Sequence, residues 1–255
     1  MSHVSGGGSR QLRQEAQRAV ILDAAAVAIS ENGYHGMTMR GLARATGRSL
    51  ASFYNYFSSK EDVLYSLQTD AFETLTNSVK VALEGVDDPV ERLYTFFLNH
   101  VRYFVEHRSV MRVLVHEASA LPAGRRKKVR SLKEGYFQIG RDIVASVLAA
   151  GCNSPGADGA ASLDPAEVER VAYSVFGMLN WSYSWYDPQL HGTPQDVART
   201  IHAVAVCGLV AHCPHRSAKG NLERYLGAIA PPPVGKPGRQ VAALNKPPSP
   251  ADKNN

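Results

Sequence analysis

From about residue 13 onward, apolar side chains recur three and four positions apart in almost every segment, and nowhere do they alternate with polar ones as in a strand. The pattern predicts an all-α protein. Helices are expected over residues 13–32, 38–46, 50–57, 60–84, 109–120 and 123–150. Three further starts are marked by Asp88-Pro89, Asp164-Pro165 and Thr193-Pro194, where a side-chain acceptor precedes a proline at the first helical turn. Glu91, Glu167 and Asp196 stand three residues after those caps, the spacing of a capping box.

The ends of the chain break the pattern. Residues 1–14 read as a flexible basic arm, too poor in apolar surface to pack. Residues 214–255 carry Pro231-Pro232-Pro233, Pro237, Pro247-Pro248 and Pro250, which suits a Pro-rich, largely disordered tail after at most a short helix near 221–229. The run 151–162 reads as a loop. Between the ends, residues 15–75 form one expected domain and 76–213 a second, a division that the 255-residue length favours.

The segment Thr38 to Phe57 has the grammar of two short helices joined by a tight turn. Thr38 is placed to cap the first, whose inward residues are Leu42 and Ala43; Gly47 supplies a positive φ that ends it; Ser49 caps the second. In that second helix Phe53 and Phe57 are four apart and face a core, leaving Ser52, Tyr54, Asn55 and Tyr56 elsewhere. Ser58 and Glu61 have capping-box spacing at the start of a longer helix, which sets Lys60 beside an N-terminus that attracts anions.

Thr38, Leu42-Ala43, Gly47, Ser49, Phe53-Tyr54, Tyr56-Phe57, Lys60-Glu61 and Leu64 match, without a gap, the DNA-binding run of the TetR family of regulators, which the chain therefore resembles. Ile21-Leu22-Asp23-Ala24-Ala25 and Asn32-Gly33-Tyr34 fit the family's first helix and following turn, so the likeness covers residues 15 to 75. Departures are Thr46, Arg48 and Ala51; Arg48 is expected either to add a phosphate contact or to alter how the turn packs. The resemblance implies a three-helix helix-turn-helix domain followed by a helical ligand-binding and dimerisation domain. It implies that Arg40, Leu50, Ala51, Ser52 and Asn55 lie near bases of double-stranded operator DNA, and Thr38, Tyr54, Tyr56 and Lys60 on its phosphates.

Past residue 75 the likeness is weaker. The stretch Phe176 to Pro188 resembles the dimerisation helices of the family's steroid- and fatty-acid-catabolism branch, whose regulators sense acyl-CoA thioesters. It implies a homodimer through residues 164–186 and 193–212, with Ala203 and Val206 at the seam. Phe104, Tyr136, Phe137, Phe176 and Trp181 are candidates to line an effector pocket, although Met178, Trp181 and Trp185 at helical spacing fit a core or dimer seam better than a ligand box. Arg125-Arg126-Lys127-Lys128, with Arg130 and Lys133 close by, forms the densest charge cluster; it reads as a solvated helix start, as a cradle in which Arg125 and Arg126 hold the phosphates of a CoA moiety, or as an auxiliary DNA contact.

Composition narrows the function classes. A formal charge of +5 favours an anionic partner without naming it. Three cysteines without a CxxC pair suggest neither disulfides nor a zinc ribbon, and His202, Cys207, His212, Cys213 and His215 fit no structural metal spacing. No P-loop, GxSxG, HExxH or dinucleotide fingerprint occurs, so neither enzyme chemistry nor a cofactor or metal is expected. No stretch reads as a membrane span, and the cytoplasm, at the nucleoid, is the expected compartment. The expected function is repression, relieved when a hydrophobic small molecule or acyl-CoA thioester enters the C-terminal domain. An enzyme using that pocket and a DNA-architectural protein without an effector are the rivals.

Overall fold

A computed structural model describes residues 6–117, 119–152 and 164–211. Residues 1–5, most of the expected 151–162 loop and the expected tail with its short helix lie outside them. Among the described residues there are ten helices and no strand, in the order α1 Gly6–Gly36, α2 Met39–Ala45, α3 Leu50–Tyr54, α4 Lys60–Ala82, α5 Pro89–Glu106, α6 Arg108–His116, α7 Ala123–Cys152, α8 Pro165–Trp185, α9 Pro188–His191 and α10 Pro194–Ala211.

Caps legible in the sequence start the later helices. Asp88 accepts from the backbone N–H groups of Val90 and Glu91, both at 2.9 Å. Asp164 accepts from Ala166 at 3.0 Å. Thr193 and Asp196 complete a reciprocal box, since Asp196 Oδ2 accepts from the Thr193 N–H at 2.9 Å and Thr193 Oγ1 accepts from the Asp196 N–H at 3.3 Å.

Three local readings need correction. Residues 6–14 are helical rather than part of an arm. The Gln11 amide donates to Glu15 one turn on, and Arg18 pairs with Asp70 of α4, so this first stretch belongs to a helix anchored on the body. The second helix of the motif stops at Tyr54, because the chain tightens there into i→i+3 bonds, Asn55 N–H to Ser52 O and Tyr56 N–H to Phe53 O. The cap of α4 is Ser59 and not Ser58: Ser59 Oγ accepts from the Asp62 N–H at 3.1 Å, while the Ser58 hydroxyl donates to the Asp62 carboxylate.

α1 to α3 and the start of α4 enclose a small core built on Ile21, Ala25, Leu42, Phe53 and Val63, all at most 1% exposed. Each such side chain contributes roughly 1.5–3 kcal/mol by leaving water, less for the alanine. The larger core lies among α4, α5, α7, α8 and α10; α5 packs along α10 and α7, and α4 runs from the small core along α7. Gly140 on α7 allows a close crossing, since a Cβ there would sit 2.6 Å from the Phe176 ring.

Candidate DNA-reading surface and ligand cavity

The turn geometry follows from four residues. Thr38 Oγ1 accepts from the Gly41 N–H at 3.0 Å, Gly47 takes φ +65°, Ser49 Oγ accepts from the Ser52 N–H at 3.1 Å, and Phe53 anchors α3 with none of its surface exposed. Around that anchor Thr38, Arg40, Ala51, Tyr54 and Asn55 are exposed, and Leu50 and Ser52 half-buried, so the expected reading residues form one polar and aromatic surface. Tyr56 and Arg48 form a brace: the Arg48 guanidinium lies 5.0 Å above the Tyr56 ring, joining the turn to the end of α3. Arg48 thereby takes the packing role expected of it, against Tyr56. Lys60 folds back, its ammonium 4.6 Å from the Tyr34 ring and 3.4 Å from the carbonyls of Tyr34 and His35.

Two side chains of the larger domain grip this head. Arg125, in the first turn of α7, donates to Asp62, lies 3.3 Å from Glu61, and stacks its guanidinium 5.1 Å over Tyr65. Glu117, just past α6, accepts from the Tyr34 N–H at 3.0 Å, and its own carbonyl accepts from Gln68 Nε2 at 3.2 Å. Arg125 is thus committed to α4 and does not line the cavity; the carboxylates of Glu61 and Asp62 already neutralise it. Arg126 is half-buried, with one nitrogen 3.5 Å from the Ser119 carbonyl, and it too is absent from the cavity wall.

A cavity of about 370 Å³ opens between α4, α5, α6, α7 and α8. Phe104, Tyr136, Phe137 and Phe176 line it as expected, with Leu75 and Met111. Lys133, which the sequence reading placed with the Arg125 cluster, joins them, as do two polar residues not proposed as pocket residues, His100 and Asn180. His100 is 1% exposed, with Nδ1 3.0 Å from the Tyr136 hydroxyl. Burial pushes its pKa down to about 3, against a smaller opposing effect from the Asn180 side chain. A histidine amid Phe96, Phe97, Val101 and Phe104, on the apolar face of one helix, was the available signal.

Trp181 does not face this cavity. It is 64% exposed and borders a shallow apolar depression with Gly177, Met178, Trp185, Thr200, Ile201 and Val204. Val206, expected at the seam, is buried in the chain's own core, whereas Val204 is exposed. His202 is also buried; its Nε2 lies 3.0 Å from the Val90 carbonyl and its ring between Tyr94 and Phe97, which is a packing role.

The profile of bacterial regulatory proteins of the tetR family matches residues 21–67, and that of tetracyclin repressor-like C-terminal domains matches residues 86–209. PfmR from Thermus thermophilus, a TetR-family transcriptional regulator of solved structure, is 30% identical; the match covers 73% of this chain and 96% of PfmR with a TM-score of 0.62. The chain belongs to the TetR family. The transcriptional regulator HbdR of Aromatoleum sp. strain CIB is similar to it at 26% identity over 67% of this chain and 69% of HbdR. AibR, solved with isovaleryl coenzyme A and operator DNA, shares the fold at 22% identity, a TM-score of 0.62 and coverage of 74% and 97% of the two chains. Family membership makes the chain a helix-turn-helix transcriptional regulator, and its relatives and fold are those of DNA-binding regulators rather than enzymes. No described helix is long and apolar enough to cross a membrane.

Proposed function

We propose that the protein is a homodimeric repressor acting on operator DNA in the cytoplasm, and that an acyl thioester or similar apolar molecule in the α4–α8 cavity releases it. One observation carries the reading. α7 supplies Lys133, Tyr136 and Phe137 to the cavity and Arg125 to the first turn of α4, so filling the cavity and holding the DNA-reading head are tasks of a single helix. A molecule that shifts α7 moves the hold on Glu61 and Asp62, beside Lys60.

The effector class rests on the cavity's aromatic lining and on the fold shared with AibR, which holds isovaleryl coenzyme A. With Arg125 engaged, the α7 cations on the same side as the cavity that could meet a CoA phosphate are Lys133 in its wall and Arg130 and Arg126 one and two turns before it. The dimer reading rests on the exposed Trp181, Trp185, Tyr173 and Val204 of α8 and α10, apolar surface that a second copy would cover.

The test recovers the operator from genomic DNA with the purified protein and titrates the complex with acyl-CoAs in a gel shift. Release by a subset of thioesters is expected. DNA binding that no member of an acyl-CoA and free-acid panel alters removes the effector reading.

A further inference from the structure

The cavity has a polar feature that its apolar walls do not explain. His100 Nε2 is buried and no partner lies within full hydrogen-bond distance of it, although almost every buried polar atom finds one; the Asn180 side chain, on the same wall, is near enough to act on the ring without satisfying that atom. The other ring nitrogen is engaged: Nδ1 lies 3.0 Å from the Tyr136 hydroxyl, which makes no other hydrogen bond among the described residues. The buried phenol finds its acceptor in Nδ1, so the hydroxyl donates there and the ring carries its hydrogen on Nε2. Phe96, Phe104 and Phe176 clamp the ring, with centroids at 6.2, 3.7 and 5.9 Å, and fix that edge.

The ring is also neutral. Burial keeps its pKa near 3, so at physiological pH it offers one donor and no positive charge. Lys133, the cation of the wall, is exposed, so a carboxylate drawn in against His100 would shed its water without a counter-charge. An uncharged carbonyl oxygen takes the same hydrogen bond at far lower desolvation cost.

We propose that His100 sets the effector class of this cavity by donating its Nε2 hydrogen to a neutral carbonyl oxygen, selecting acyl thioesters, esters and ketones over the matching free acids and alkyl compounds. Tyr136 is the positioning residue that fixes the tautomer. The inference rests on the cavity being the effector site, and it names the chemistry that the site reads.

Calorimetric titration of the full chain tests it with octanoyl-CoA, with S-octyl-CoA, which has the same chain and no carbonyl, with octanoate, and with 2-nonanone. Octanoyl-CoA is expected to bind at least about tenfold more tightly than S-octyl-CoA, and octanoate more weakly than either. His100→Leu, similar in volume and without a donor, is expected to bring the thioester-to-thioether ratio to about one and leave S-octyl-CoA affinity within about twofold. Tyr136→Phe, which keeps the ring and frees the tautomer, is expected to reduce the ratio in part. A merely structural role for His100 would weaken both ligands alike and leave the ratio unchanged. Equal binding of the two CoA compounds by the unmodified protein, a ratio that survives His100→Leu, or tighter binding of octanoate overturns the proposal; if the CoA compounds still release DNA, the repressor reading stands without it. Binding of 2-nonanone alone, abolished in His100→Leu, upholds the proposal and removes the thioester from the reading. Binding of no probe overturns both.

Discussion

Glu117 accepts a hydrogen bond from the backbone N–H of Tyr34 at 3.0 Å, across 83 residues of sequence, and so joins the end of α6 to the turn that opens the helix-turn-helix. Glu117→Ala leaves that partly buried N–H without its partner and is expected to destabilise the protein by about 1–3 kcal/mol. Glu117→Gln keeps an acceptor oxygen and is expected to lose less than half as much. Urea unfolding curves for the three proteins check the order, and an alanine variant as stable as the parent contradicts it.

The Ser58 hydroxyl, followed by Arg125 and Ser59, holds the Asp62 carboxyl below the usual carboxylate range, with burial acting the other way. The unfolded chain therefore takes up this proton first as pH falls. The stabilisation is complete above the unfolded value near pH 4 and is lost as pH drops through the folded one. With Arg125 about a third exposed, the ion pair supplies at most about 1 kcal/mol. Asp62→Asn is expected to be less stable than the parent at pH 7, with the gap narrowing below pH 4. Denaturant midpoints that fall in parallel across this range show that Asp62 contributes nothing to the acid limb.

Lys60 and Tyr54 are expected to act on DNA by different physics. Loss of a cation on a phosphate lowers the slope of log K against log salt by about one unit, so Lys60→Ala should weaken operator binding most at low salt. Tyr54, 48% exposed and outside the core, carries no charge. Tyr54→Phe should cost about 1 kcal/mol of affinity and leave the slope alone. Fluorescence anisotropy between low and moderate salt separates the two, and identical slopes for Lys60→Ala and the parent defeat the proposed docking.

Neighbouring positions on α10 distinguish seam from core. Val204 is 58% exposed and Val206 is 2% exposed. Val204→Asp is expected to give a folded monomer, whereas Val206→Asp buries a charge inside one chain and should unfold or aggregate. Light scattering with circular dichroism reads both. A Val204→Asp protein that stays dimeric moves the seam elsewhere.

What was legible in the sequence is what neighbours in the chain decide. Thr38, Gly47 and Ser49 act on residues two or three away, and their caps and turn appear where their chemistry requires. The aromatic spacing likewise announced Phe104, Tyr136 and Phe176 as inward residues. What stayed hidden depends on distant partners. The Arg125 cluster reads as a solvated helix start, a phosphate cradle or a DNA contact, and none of these names the partners that Arg125 has, Glu61 and Asp62, more than sixty positions earlier. Trp181 has the spacing of a core residue, yet the turn of α8 leaves it 64% exposed, because periodicity gives a face and not its neighbour.

α7 is one unbroken helix of 30 residues, about 45 Å long. Because its first turn grips the head and its middle walls the cavity, the proposed mechanism makes the strength of resting repression and the dose that relieves it dependent settings. By linkage, a substitution that tightens the Arg125 hold raises the effector concentration needed for release by the factor that it removes from leakage. Gly135 lies within the cavity-wall stretch, between Lys133 and Tyr136, and a Cβ there would meet open space. It is therefore a place where a methyl group can stiffen the rod without a clash inside the chain, so that the coupling between its two ends can be altered without removing either contact.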